Sequence, residues 1–194
     1  DSKPPMFYFD DTASLSASAD LPEPSSEEVM DAAFEKVQSE LKDELLLRIQ
    51  KMDETEFEVL VNKLLAKLGF GRPVTTQKTH DLGIDGYIYS DPLGLNVIGV
   101  QAKRYDGHNV QRPEIDKFIG ALEGRNGVFV TSAGFSPEAR IKAEKTGSQS
   151  KIALIDGPQM VDFMITYNLG VQETGKVYSL KRIDQDFFSN PEDV

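Results

Sequence analysis

The sequence predicts an α/β fold: a mixed β-sheet with helices packed on both faces, preceded by an N-terminal helical extension. Three observations predict it. Apolar residues recur with a helical period as far as Leu68 and give way to short β-type runs from residue 74. Two of those runs flank Asp91-Pro92-Leu93-Gly94, a turn by composition, so they form an antiparallel hairpin. Beyond residue 112 helical and strand segments alternate, an order that lets the later strands pair in parallel through crossover helices.

Residues 1–25 hold Pro4, Pro5, Pro22 and Pro24 around a Ser/Ala/Asp-rich centre, too few core-forming groups for a packed unit, and are expected to act as a flexible linker. Met6-Phe7-Tyr8-Phe9 is the exception, either a local docking contact or a partner-binding motif. Residues 26–52 read as one long polar helix capped by Ser25 or Ser26. Its apolar stripe, Val29, Ala33, Val37, Leu41, Leu45 and Ile49, is narrow, which suits packing along a neighbour or a second copy of the chain, so a homodimer is an expectation. Asp53 with Glu56 three residues on has the form of a capping box. Phe57, Leu60, Val61, Leu64, Leu65 and Leu68 then continue a helix to Gly69. Strands are expected over 74–78, 84–89 and 97–104 as an antiparallel meander. A helix from Pro113 to about residue 123, a strand over 127–131, a helix capped by Ser136 to about residue 145, a strand over 152–155 and a helix over 158–168 ended by Gly170 complete the alternation. Residues 177–180 suggest an edge strand, and 184–194 a tail.

The 194 residues, 39% of them apolar, suit one ordinary domain with a tail. No run approaches the roughly 18 apolar residues of a membrane span, and no basic-then-apolar leader opens the chain, so the cytoplasm is the expected compartment. The first residue is Asp1, and the expectation is of a fragment with an upstream part. Without cysteine, and with only His80 and His108, thiolate and ordinary zinc sites are excluded; a metal here should be hard and oxygen-bound. The net charge of −11 argues against a broadly basic nucleic-acid surface. That charge resides in residues 1–60, with 16 acids against 5 bases, whereas residues 61–194 hold 16 of each and have room for a local basic cleft.

Side chains alternate across a strand, so Gln101 and Lys103 face one way in the 97–104 run while Ile98, Val100 and Ala102 face the other. Asp85, in Gly83-Ile84-Asp85-Gly86, stands sixteen residues before Gln101, a spacing that a hairpin can fold so as to bring the carboxylate opposite the amide and the ammonium. Singly, each has a bland reading: a turn aspartate, and a solvated polar pair. Together they supply what phosphodiester hydrolysis asks for, namely oxygen ligands for a divalent ion such as Mg²⁺ or Mn²⁺ and a cation beside the attacking water. Asp85, Gln101 and the Ala102 carbonyl are the expected metal ligands, with Glu58, at the margin of the second helix's buried stripe, as a further anion. Lys103 is the expected partner of the water. Arg104, Arg112, Lys78 and Lys117 are candidates for phosphate contacts. His80 reads either as a proton shuttle or as an ordinary loop residue, and Asp81 as a loop cap. Thr131-Ser132-Ala133-Gly134 reads as a strand exit into the Ser136 cap.

The order of Glu58 on a helix, Asp85 in its glycine turn and Gln101-Ala102-Lys103 on the next strand resembles the PD-(D/E)XK nuclease superfamily, in the variant with Gln before the lysine. Arg112-Pro113-Glu114-Ile115, Phe118-Ile119-Gly120-Ala121-Leu122, Gly127-Val128-Phe129-Val130-Thr131, Ile155-Asp156-Gly157 and Asn168-Leu169-Gly170-Val171 narrow the resemblance to the catalytic domain of Mrr-type restriction endonucleases, over residues 53–171. The resemblance implies a restriction-endonuclease-like fold, with residues 53–183 as the catalytic domain. It also implies Mg²⁺-dependent endonucleolytic cleavage of double-stranded DNA, often methylated, and often directed by an upstream winged-helix domain that this chain lacks. A nuclease fold that only binds DNA or a protein is the alternative. The sequence departs from the family pattern at His80 and Leu82, which flank Asp81 where small glycines are usual, and at Gln111. Gln101 also removes one negative ligand.

Overall fold

The computed structural model describes residues 23–75, 83–146 and 150–189. Eleven elements follow one another: α1 Ser26–Gln50, α2 Glu54–Lys67, β1 Arg72–Thr75, β2 Gly86–Tyr89, β3 Val97–Lys103, α3 Arg112–Leu122, β4 Asn126–Thr131, α4 Pro137–Glu144, β5 Ile152–Ile155, α5 Gly157–Thr166 and α6 Gln185–Ser189. The chain divides into two compact units, Asp1–Gln38 and Ser39–Val194. No helix among the described residues is long and apolar enough to cross a membrane.

In the first unit α1 starts at a cap made by Ser25, whose hydroxyl accepts from the Glu28 amide while the Glu28 carboxylate accepts from the Ser25 amide at 2.6 Å. Those bonds hold the Glu28 carboxyl below its ordinary range. Val29, Met30, Phe34 and Val37 are exposed along this stretch.

In the second unit the five strands lie side by side in sequence order. β1 pairs with β2 and β2 with β3 antiparallel, whereas β3 pairs with β4 and β4 with β5 in parallel. The sheet is therefore mixed, as the alternation of patterns predicts. The hairpin turn between β2 and β3 is closed by Asp91, whose carboxylate accepts from the amides of Leu93, Leu95 and Asn96, and Gly94 takes the left-handed φ of +70° that the turn needs. The two parallel steps are crossed by α3 and α4, which lie on one sheet face because successive crossovers in one direction share a hand.

Each face has its own core. Phe57, Val61, Leu64 and Leu65 of α2, Met160, Val161 and Met164 of α5, and Leu45 and Ile49 of α1 bury against Ile98, Val100, Val128 and Val130. On the other face Ile115, Phe118 and Leu122 of α3 and Ala139 and Ala143 of α4 pack with Ile84, Phe129 and Phe135. Here α3 comes close to the sheet because Gly99 and Gly127 stand paired beneath it: a Cβ on Gly99 would lie 2.5 Å from Leu122, and one on Gly127 2.8 Å from Phe118. The α2 capping box forms as its sequence predicts, with the Asp53 and Glu56 side chains each accepting from the other's backbone amide.

One expectation needs correction. Residues 177–180 form no strand, and Val177, Tyr178 and Leu180 are 90%, 77% and 61% exposed. Their β-type composition has neither a paired neighbour nor a buried face, and strand propensity expresses little else. The apolar stripe of α1 is buried only at its C-terminal end, at Leu45 and Ile49, with Leu41 partly covered. The short helix α6 was not anticipated in what reads as a tail.

Candidate active site at the end of the hairpin

The register of the hairpin places the acidic and amide groups. Gly86 pairs with Val100, so Asp85, one residue before β2, comes opposite Gln101. The Asp85 amide donates to the Val100 carbonyl at 2.8 Å, which continues the ladder by one residue and fixes the aspartate at the strand end. Its side chain turns towards β3: Oδ2 accepts from Gln101 Nε2 at 2.6 Å and from the Ala102 amide at 2.8 Å. Gln101 is 6% exposed, one of few buried polar side chains, and its Nε2 also lies 3.5 Å from the Ala102 carbonyl oxygen. A buried amide pinned between a carboxylate and a carbonyl loses little entropy when it takes up a ligand.

Lys103 follows on the same strand face. Its backbone is held in the parallel ladder against Thr131, and its carbonyl accepts from Ser132 at 3.3 Å. Its ammonium has no ion-pair or hydrogen-bond partner among the described residues. The other face of β3 belongs to the core with α2 and α5, so the polar pair emerges only towards α3, as strand alternation predicts.

Glu58 is half-buried on α2 beside the fully buried Phe57, on the helix that packs against the opposite sheet face. The bonds that join Asp85, Gln101 and Ala102 are made without it. The four expected phosphate-contact residues are placed very differently. Arg104 turns inward, its guanidinium donating to the Gln50 carbonyl at the end of α1 at 2.9 Å, with its Nε buried and unpartnered among the described residues. Arg112 pairs with Asp116, which also pairs with Lys142 at 2.8 Å; the Lys142 bond chiefly holds the Asp116 carboxyl below its ordinary range. Lys117 is exposed on α3 and unpaired among the described residues, with its stem over Gly83. Lys78 lies outside the described residues, as do His80, Asp81 and Leu82. Gln111 begins α3, its amide donating to Glu114 at 2.9 Å.

Sequence reasoning missed one group of residues. Tyr105, two positions after Lys103 on the same face, donates its hydroxyl to Glu114 of α3, and its ring stands 4.1 Å from that of His108. Ser132 closes the other side: its hydroxyl accepts from the Tyr105 amide and donates to the Tyr105 carbonyl, both at 2.8 Å. Burial, then the Glu114 carboxylate, push the Tyr105 phenol up to about 12, so it stays a neutral donor. The same-face spacing of residues 101, 103 and 105 was the available signal.

A fit test for a hard cation rests on the donor set. Turning the Gln101 amide by half a rotation puts its oxygen where Nε2 stands, next to the Asp85 carboxylate and near the Ala102 carbonyl. Three oxygens, one of them anionic, then converge, which suits Mg²⁺ or Mn²⁺ and not a soft ion. Among the described residues no cluster of three or more His, Asp or Glu side chains is placed to hold a metal, so this donor set rests on one carboxylate and two neutral oxygens.

Comparison with known proteins gives the family and the fold. The family model for the Mrr catalytic domain, described as a restriction endonuclease, matches residues 49–164. The chain is 34% identical over 194 residues to the type IV methyl-directed restriction enzyme EcoKMrr of Escherichia coli (strain K12), covering 96% of this chain and 62% of that protein. It thus spans a little under two thirds of that relative. Among solved structures, the DNA modification-dependent restriction endonuclease AspBHI aligns with a TM-score of 0.52 at 18% identity, over 67% of this chain and 36% of its own. The MspJI restriction endonuclease in complex with a 27-mer oligonucleotide aligns at 0.46 and 21%, over 81% and 36%.

Proposed function

Because the chain belongs to the Mrr catalytic family of restriction endonucleases, we propose that it hydrolyses phosphodiester bonds of double-stranded DNA, with Asp85, Gln101 and Lys103 at the cutting centre. One observation carries the reading: the Asp85 carboxylate is bound across the hairpin by the Gln101 side chain at 2.6 Å and by the Ala102 amide at 2.8 Å, on the strand that presents Lys103 two residues further on.

Asp85, Gln101 and the Ala102 carbonyl would hold Mg²⁺ or Mn²⁺, and Glu58, carried by α2 on the other sheet face, would have to join them past the strand end as a further anion. When bound, such an ion polarises the phosphoryl group and acidifies a water. The chain's own groups do the rest. Lys103 positions the attacking water and stabilises the charge that grows on the phosphoryl oxygens. The water oxygen forms the new bond to phosphorus and one bridging P–O bond breaks. The departing oxygen takes up a proton, leaving a phosphate monoester and a hydroxyl. Tyr105 and Glu114 hold the start of α3 against the end of β3, so that Lys103 enters the centre from a fixed backbone. EcoKMrr is named as methyl-directed; we extend that preference to this chain as part of the proposal, together with residues 53–183 as the catalytic domain, DNA selection by a winged-helix domain and pairing of two chains through α1.

Incubation of methylated and unmethylated supercoiled plasmid with the protein, with and without Mg²⁺ or Mn²⁺, tests it. The expected result is metal-dependent nicking or linearisation that Lys103→Ala abolishes while circular dichroism stays unchanged. Metal binding without any cleavage of either plasmid would favour a binding module instead.

A further inference from the structure

We infer that Lys117 of α3, the helix towards which Lys103 emerges, is a second catalytic cation for the scissile phosphate. The inference rests on the phosphodiesterase reading above and deepens it.

Gly83 links the two sides. The point where its Cβ would stand lies 3.5 Å from Lys117 Cε, 3.6 Å from Lys117 Cγ and 3.7 Å from Gln101 Oε1. The lysine stem therefore runs over the bare glycine, and the Lys117 stem and the Gln101 amide are both neighbours of that one Gly83 position. A side chain at Gly83 would come into contact with that stem, and its φ of +72° further favours glycine. Of the other cations considered for phosphate contact, Arg104 is bonded to the Gln50 carbonyl and Arg112 to Asp116. Lys117 is the one of these three that stands beside the Gly83 turn and has no partner among the described residues.

Charge gives the arrangement a purpose. Where an acid would make the pair of ligands doubly negative, Gln101 leaves Asp85 as the one anion of the pair, flanked by Lys103 and Lys117. This centre holds metal less tightly by itself and attracts the phosphate more strongly, so the scissile group helps to complete it. A cation aimed at the phosphoryl oxygens stabilises the transition state more than the ground state, because negative charge on those oxygens grows as the new bond forms.

The test separates a catalytic cation from an ordinary backbone contact. Lys117→Met keeps the stem over Gly83 and removes the charge; Lys117→Arg restores a charge. Single-turnover cleavage of plasmid in Mg²⁺ should fall about 100-fold in Lys117→Met and recover in part in Lys117→Arg. DNA affinity measured in Ca²⁺ should change far less than the rate, and Ca²⁺ binding to the free protein should tighten a few-fold as a nearby positive charge is lost. Lys117→Met that cleaves at the unaltered rate, or that loses DNA affinity and rate in equal measure with a salt slope reduced by about one, overturns the inference and leaves the parent reading in place. No cleavage by the unaltered protein with either Mg²⁺ or Mn²⁺ would overturn both.

Discussion

The two faces of β3 are built to opposite rules. Ile98 and Val100 are buried among α2 and α5 as part of a core that any well-packed set of apolar side chains could form. On the other face Gly99, Gln101 and Lys103 run from a glycine beneath Leu122, through a buried amide, to an ammonium without a partner among the described residues. One strand thus changes along its length from packing to polar side chains on one side only. What this teaches is that one face packs while the other carries polar groups: the apolar face anchors the strand whose register brings Asp85 to Gln101.

Substitutions on the two faces should therefore separate activity from stability. The largest effect is expected on the polar face, where Lys103→Ala should lower the cleavage rate by about 1000-fold or more with an unchanged melting temperature. Next comes the apolar face: Val100→Ala removes two buried methyl groups and should cost roughly 2 kcal/mol in denaturant unfolding, with the rate per folded molecule retained. Equal loss of activity in both variants would break the distinction between the faces. Gln101→Glu sharpens it, because a carboxylate beside Asp85 adds a negative ligand. Ca²⁺ affinity should rise about tenfold, and cleavage should become more pH-dependent as the crowded pair holds a proton to higher pH. The smallest effect belongs to Tyr105. Its phenol titrates at about 12, above the ordinary value of 10, so the folded chain holds that proton more tightly than the unfolded one. The stability it contributes is whole below pH 10 and disappears as pH rises through 12. Tyr105→Phe should remove a step near pH 12 from the tyrosine absorbance titration, and with it that alkaline loss of stability.

The meeting of Asp85 with Gln101 was legible because it is local. The sixteen-residue hairpin and strand alternation suffice to bring Asp85 to Gln101, and the order of strands and helices suffices for a mixed sheet. Contacts that depend on distant segments were not legible. Arg104 meets Gln50 across 54 residues, and no periodicity marks that guanidinium as internal rather than as a phosphate contact. The Tyr105 to Glu114 bond requires knowing how the intervening loop returns α3 to the strand end. Residues 177–180 misled for the converse reason: β-type composition was present, but the neighbouring strand that would have used it was not.

The measurement that bears most directly on the centre is calorimetric titration of the protein with Mn²⁺, repeated for Asp85→Asn and Lys103→Ala. The account predicts that the unaltered protein and Lys103→Ala bind the ion while Asp85→Asn does not. Binding by Asp85→Asn with the affinity of the unaltered protein would contradict it.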